Sequence, residues 1–386
     1  MKILFLNAEY NGCAYWRMFE PARFLNMNYR DVSVTFFPND VYHYKPLSEW
    51  EQLAKSHDII VFSRVSNPQA FQTMLVVREI SQRPVVVEMD DDWSCVDPNN
   101  IAYKDWHPGS IPCQIADAQM KSSDLFQVST MPLKRAMGYK YGKKSWIAPN
   151  LIDVDKMAGI LSEASKKRKT RDEIRIGWAG SATHYGDFMS FLPAMEIIAN
   201  KYPKVKFVFR GMQADYFVCE KDSIEVVDGK QKITRKCPID VSRVEYAHGS
   251  GFWEWPKLLA EMDIDIVIVP LEETKFNKSK SNCRYLEFSS LKIPGVYADV
   301  EPYAKTITHG HNGFLAKTTS DWVQHISSLI DDEEMRREIS NQAHLNVVQN
   351  WSLQNNIGIW KANYEEMANT ISETDFVPYF NPEEAA

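Results

Sequence analysis

The chain has 386 residues, 44% of them hydrophobic and 12% aromatic, which is more than one hydrophobic core usually serves, so length favours two domains. Its formal net charge of −7 argues against a protein built mainly to coat nucleic acid. The opening MKILFLNAEYNG holds too short an apolar stretch for a signal peptide, and no later run is long enough to cross a bilayer, so the expected location is the cytoplasm.

In chain order, the compact β-branched or aromatic runs KILFLN, VSVTFF, DIIVFS and PVVVEM alternate with helical stretches such as Pro21 to Asn28 and Gln69 to Ser81. LFQVST at 125–130 and KSWIAPN ending at Asn150 continue the series. Such alternation predicts βαβ units and a largely parallel sheet. The pattern then breaks. Ala164 to Asp172, ASKKRKTRD, has no apolar face and reads as a solvated connector, with a localisation signal or a nucleic-acid patch as the other reading. Alternation restarts with EIRIGWAG, a helix from about Asp187 to Lys201, VKFVFRG, an irregular polar stretch from Gln213 to Ser250, a helix near Trp255 to Met262, and DIDIVIVPL. Asp321 to Asn350 and Leu353 to Ile371 read as two amphipathic helices, Trp322, Ile326, Leu329 and Ile330 sharing one face of the first. The expected fold class is therefore α/β with two Rossmann-like βαβ domains facing across a cleft: 1–155, a linker at 156–172, 173–345, a C-terminal helix at 346–371 packing back toward the first domain, and a tail at 372–386.

Six cysteines without a CxxC pair indicate reduced thiols, although Cys219 and Cys237 bracket a polar stretch and could pair. In IRIGWAGSATHYGD, a strand runs into Gly177, Gly180, Ser181 and Thr183 just before a helix. Small residues there let backbone N–H groups approach a diphosphate, though the same pattern also makes an ordinary tight connection. In VIVPLEETKFNKSKSNCRYLEFSSLKIP, a helix starting near Ser279 to Ser281 would place Lys280, Arg284 and Glu287 at i, i+4 and i+7 on one face. Cations in a first turn oppose the helix dipole, a conflict that an anionic ligand removes; the alternative is an Arg284–Glu287 ion pair on a solvated face. Asp90, Asp91 and Asp92 follow a strand, where they could bind a metal or an acceptor, or cap a helix. His184 and His107 are candidates for an acceptor base or a sugar contact, and Trp253 and Trp255 for core packing.

The segment FNKSKSNCRYLEFSSLKIPGVYADVEPYAKTITHGHNGFLA resembles the donor-site block of GT-B glycosyltransferases of the family-four type. GWAGSATHYGD, DLFQVSTMPLKRAM, APNLID and NGCAYWRMFEPA fit the same family in order and spacing, from Lys2 to about Glu365. The resemblance implies a retaining, metal-independent transfer of a sugar from a nucleotide-sugar, a UDP-sugar first among them, with no permanently bound cofactor. It implies that Gly12 approaches donor or acceptor, that Gly180 and Ser181 face the diphosphate, that Lys280, Ser281 and Arg284 bind it, and that Glu287 holds the ribose. His184 joins Lys280 and Arg284 as a catalytic candidate. The family's Glu-x7-Glu has Ser279 in place of its first glutamate here, and the basic residues usual after the second domain's first strand are missing, leaving Lys280, Arg284 or Arg210 to supply charge. The acceptor, shaped by the first domain and its aromatics Tyr15, Trp16, Trp93, Tyr103 and Trp106, is open among a saccharide, a lipid-linked saccharide, a protein and, as in bacteriophage relatives, a hydroxymethylated DNA base. A nucleotide-sugar epimerase and a two-domain binding protein are the rival readings.

Overall fold

The short β-branched runs of the first half become β1 (Lys2–Leu6), β2 (Ser33–Phe37), β3 (Ile59–Ser63), β4 (Val85–Met89), β5 (Leu125–Val128) and β6 (Ser145–Ile147). They form one parallel sheet in the order β2-β1-β3-β4-β5-β6. Strands β4 and β5 are buried at every position, as strands covered on both faces must be. The structure is a computed structural model and describes residues 1–6, 11–37, 46–167, 170–211, 223–227, 230–234, 239–249 and 251–372.

The second half contributes β7 (Ile174–Gly180), β8 (Val205–Gly211), β9 (Ser223–Val227), β10 (Lys230–Thr234), β11 (Val244–His248), β12 (Ile266–Val269), β13 (Gly295–Ala298) and β14 (Phe314–Ala316). β9 and β10 pair as an antiparallel hairpin; the other six form a parallel sheet, β11-β8-β7-β12-β13-β14. The stretch from Gln213 to Ser250, expected to be irregular, therefore holds three strands. Their polar composition hides them, and β11 is a half-exposed sheet edge that needs no continuous apolar run.

Each sheet reverses its strand order once, between β1 and β3 and between β7 and β12. In open α/β sheets, ligands bind outside the carboxyl ends of the strands at such points.

The chain passes between the sheets twice. After β6 it enters the helix Val154–Ser165, capped by Asp153, whose Val154, Ile160 and Leu161 pack on the second core. Much of the expected linker at 156–172 is thus helical, and Arg171 is tied to Asp263 and Asp265. Arg168 and Lys169 of the basic run, Cys219, Cys237 and the tail beyond 372 lie outside the described residues. The return passage runs beside the first: the Ile152 N–H donates to the Trp351 carbonyl and the Leu353 N–H to the Ile152 carbonyl, both at 2.9 Å. The helix Gly358–Ser372 then lays Trp360, Tyr364 and Met367 into the core of the first sheet. The expected helix from Asp321 to Asn350 is two, Thr319–Asp331 and Glu333–Asn350. Extended Asp332 ends one and caps the other by accepting from the Met335 N–H.

Candidate functional site

A cleft of about 1010 Å³ opens where the carboxyl ends of the two sheets face each other. That is the upper end of the range for small-molecule sites, about 300–1,000 Å³.

On the second sheet's side, the wall begins with glycines at the strand ends. A Cβ on Gly211, whose φ is +98°, would fall 2.3 Å from the Gly180 carbonyl oxygen, so β7 and β8 can end side by side only without side chains there. Gly180, Ser181, Gly211 and Gly249 all line the cleft.

The basic segment differs from its predicted form. The helix Lys275–Ser279, capped by Thr274, ends before Lys280, which is extended (φ −64°, ψ 161°); a separate helix, Cys283–Ser290, follows. Lys280, Arg284 and Glu287 therefore do not share one helical face. They meet because the turn between the helices carries Lys280 to the mouth of the second one, its ammonium 4.6 Å from the Phe276 ring centroid. The Ser and Asn residues of NKSKSN favour caps and turns over a continuous helix.

The Arg284 guanidinium donates to Glu287 Oε2 at 2.6 Å, and Trp255 Nε1 donates to Glu287 Oε1 at 3.1 Å. The anticipated ion pair is present. It lies against the Trp255 ring inside the cleft rather than on a solvated face, and the Glu287 side chain is only 5% exposed. The first turn of this helix holds no acidic residue, and the Asn282 amide donates to Thr306 Oγ1 instead of capping it. The positive helix end and Arg284 thus lie together, an arrangement that favours an anion.

His184 precedes the helix Tyr185–Lys201 and meets Asp187 one turn on, Nδ1 lying 2.8 Å from Oδ2. A carboxylate only accepts, which assigns the proton to Nδ1 and leaves Nε2 as the acceptor. Burial and the nearby Lys280 and Arg284 hold the imidazole below its ordinary pKa, so it is neutral at neutral pH. Asp187 is fixed in turn by the Glu272 N–H and the Asn277 amide, both at 2.8 Å.

On the first sheet's side, Asn11 caps a short turn at Gly12, and a wide π-type turn, Tyr15–Phe19, follows. Tyr15 and Trp16 line the cleft, while Arg17 points inward to Glu88 (2.5 Å), the Ala148 carbonyl (2.6 Å) and Asn150 Oδ1 (2.8 Å). Burial pushes the Glu88 carboxyl up to about 7, with Arg17 opposing. The Asn150 amide reaches across to Ser281 Oγ at 2.7 Å. Asp90 and Asp91 line the cleft, whereas Asp92 caps the turn Trp93–Cys95 by accepting from the Ser94 N–H and hydroxyl. Arg64 lies 4.4 Å from the Trp93 ring centroid and 4.3 Å from that of Trp106.

The structure brings Gly12, Gly180, Ser181, His184, Lys280, Ser281, Arg284 and Glu287 to one cleft. It does not bring Arg210, which donates to the His248 carbonyl at 3.3 Å, or exposed His107, whose Nδ1 lies 3.1 Å from the Pro108 carbonyl. Buried Ser279 turns away, donating to the Phe276 carbonyl and accepting from the Asp92 N–H and, at its own carbonyl, from Thr130. Trp253 packs edge-on against Tyr15 and Phe19, joining the two halves. Asp187, Asn150, Arg64 and the bond from Trp255 escape the sequence reading. Only Asp187 leaves a trace in sequence, three residues after His184 at helical spacing. Among the described residues, no group of three or more His, Cys, Asp and Glu side chains is placed to hold a metal ion, and no helix is long and apolar enough to cross a membrane.

Two Rossmann-like domains facing across a cleft, with a C-terminal helix returned to the first, make this a GT-B fold. The chain is similar to Anabaena Alr3699/HepE, solved in complex with UDP-glucose, at 15% identity and a TM-score of 0.62, over 96% of this chain and 100% of that one. It is similar to a glycosyltransferase from Rickettsia africae ESF-5 at 11% identity and TM-score 0.62, over 97% and 99% of the two chains. For sucrose-phosphate synthase from Thermosynechococcus elongatus the values are 11%, 0.64, 97% and 100%. No protein-family model matches the sequence, and no curated protein matches it in sequence.

Proposed function

We propose that this protein is a glycosyltransferase that moves a sugar from a nucleoside diphosphate sugar, a UDP-sugar first among them, to a hydroxyl acceptor. The observation that carries the reading is the meeting of Lys280, Arg284 and the N-terminal end of the helix Cys283–Ser290 with the glycine-ended strands β7 and β8 in one interdomain cleft. A diphosphate suits that set of donors, and the UDP and UDP-glucose complexes of the similar HepE fold support it. In this reading Glu287 accepts from the ribose hydroxyls, exchanging its bond to Trp255 for one of them. The departing diphosphate is stabilised by Lys280, Arg284 and the amides near Ser181.

Transfer proceeds with retention of configuration. The bond from the anomeric carbon to the phosphate oxygen breaks, the bond to the acceptor oxygen forms on the same face, and the acceptor proton passes to the departing diphosphate. Neutral His184, oriented by Asp187, presents Nε2 as a hydrogen-bond acceptor to the transferring sugar. Lys280 and Arg284 take the place of a divalent cation, so turnover persists in chelator.

Calorimetry with UDP-, GDP- and ADP-sugars, followed by mass spectrometry of acceptors, tests the proposal. Lys280→Ala and Glu287→Ala each weaken UDP binding by about 10-fold or more, on the order of 1.4 kcal/mol or more. Donor affinity and transfer unchanged in both variants refute the assignment, and an isomerised donor without released UDP identifies an epimerase instead.

A further inference from the structure

The two walls of the cleft differ in charge. On the second sheet's side stand Lys280 and Arg284, with Glu287 held between Arg284 and Trp255. On the first sheet's side the charged lining residues, among those described, are five carboxylates and two cations. Glu20 and Asp153 are both bound by Arg23, and Lys156 lies 3.5 Å from Glu20, which leaves Asp90, Asp91 and Asp105 with Arg64 as the remaining described cation of their own wall, while Lys280 acts on Asp91 from the opposite one.

Arg64 is not spent on these carboxylates by hydrogen bonding. It is stacked on Trp93 and Trp106, and its Nε and Nη1 are buried without a partner among the described residues, as is Trp93 Nε1. Burial and the neighbouring Asp90 raise the proton affinity of Asp91 despite Lys280 and Arg64 nearby. This wall therefore carries an excess of carboxylates, which are hydrogen-bond acceptors, beside two indoles. An arriving phosphate would meet Asp90 and Asp91 while the opposite cations are taken by the donor's own diphosphate. An uncharged polyol instead donates its hydroxyls to the carboxylates and lays its apolar C–H face beside the indoles.

We infer that the acceptor is an uncharged saccharide, its hydroxyls donating to Asp90 and Asp91 beside Trp93 and Trp106, and that this wall rejects phosphorylated and polyanionic acceptors, DNA included. The inference rests on the glycosyl-transfer reading above.

The test uses the full chain and the nucleotide-sugar that calorimetry selects. Acceptors are a pooled panel of uncharged mono- and oligosaccharides, glucose 6-phosphate and maltose 6-phosphate beside their unphosphorylated counterparts, and duplex DNA containing 5-hydroxymethylcytosine. UDP release and product mass are recorded. Transfer to uncharged sugars, with kcat/KM at least 100-fold lower for a phosphorylated counterpart, is the expected result. Asp90→Asn and Asp91→Asn each lower kcat/KM for the acceptor by 10-fold or more while the Kd for UDP stays put and the melting temperature does not fall. The double variant narrows the gap between uncharged and phosphorylated sugars. Transfer to DNA, preference for the phosphorylated sugar, no transfer to any uncharged sugar, or an unchanged gap in the double variant overturns the inference and leaves the donor reading standing. No binding of any nucleotide-sugar overturns the glycosyl-transfer reading itself and the inference with it.

Discussion

Asp91 and Lys280 belong to opposite walls of the cleft, and their coupling has a measurable consequence. Burial pushes the Asp91 carboxyl up to about 6; Lys280 and Arg64 pull it down, Asp90 and Asp92 push it up. If its carboxylate accepts from the acceptor hydroxyl, kcat/KM for the acceptor falls as pH drops through about 6, because the protonated form loses an acceptor site and its charge. Lys280→Met removes a lowering influence, so the acidic limb moves to higher pH; Asp91→Asn abolishes the limb. A pH profile of the three proteins at saturating donor checks this. A limb that stays in place in Lys280→Met disconnects Asp91 from it. For stability the sign is the reverse of an ordinary surface carboxylate: the folded pKa lies above the usual 3.8, so protonation favours the fold, and that contribution is lost as pH rises through about 6.

At the level of elements, β7 and β8 end side by side because Gly211 has no Cβ. Gly211→Ala places a side chain at φ +98°, with roughly 1–3 kcal/mol of backbone strain, and drives a methyl into the Gly180 carbonyl. The expected outcome is a lower melting temperature together with weaker UDP binding, since the strand ends that carry Gly180 and Ser181 must separate. Thermal unfolding and calorimetry on one preparation read both; UDP affinity equal to wild type would detach these strand ends from the donor. The runs that became β3, β4 and β12 were plain in the sequence, because strands buried on both faces are nearly continuous apolar segments. The turn at Lys280 was not. Helical spacing put Lys280, Arg284 and Glu287 on one face, whereas a loop carries Lys280 to the same place by another route. The cleft's membership was therefore more legible than its geometry. Arg64 and Asn150 were illegible for a different reason: their roles depend on Trp93, Trp106 and Ser281, which only tertiary folding brings near.

Across the whole molecule, the first domain is completed by the last helix. Trp360 is fully buried in the core beneath the first sheet, its Nε1 donates to the Pro149 carbonyl at 3.1 Å, and its ring lies 4.9 Å from the Arg17 guanidinium. Arg17 in turn holds Glu88 and Asn150, so one indole braces the buried polar cluster from which the Asn150 amide reaches Ser281 across the cleft. Truncating a buried tryptophan to alanine costs about 3–5 kcal/mol. Trp360→Ala should therefore take a large share of a typical domain's stability, about 5–15 kcal/mol, from the first domain alone. Urea unfolding followed by the fluorescence of the remaining tryptophans should turn one transition into two, the first domain's moving to lower denaturant. Lys280, Arg284 and Glu287 stand on helices or turns of the second domain, so UDP binding measured below the first transition should change much less than acceptor turnover. A single transition shifted as a unit, with UDP affinity lost in proportion, would mean that the paired passages at Ile152 and Leu353 weld the two domains into one cooperative body and that the donor site depends on the first domain for its shape.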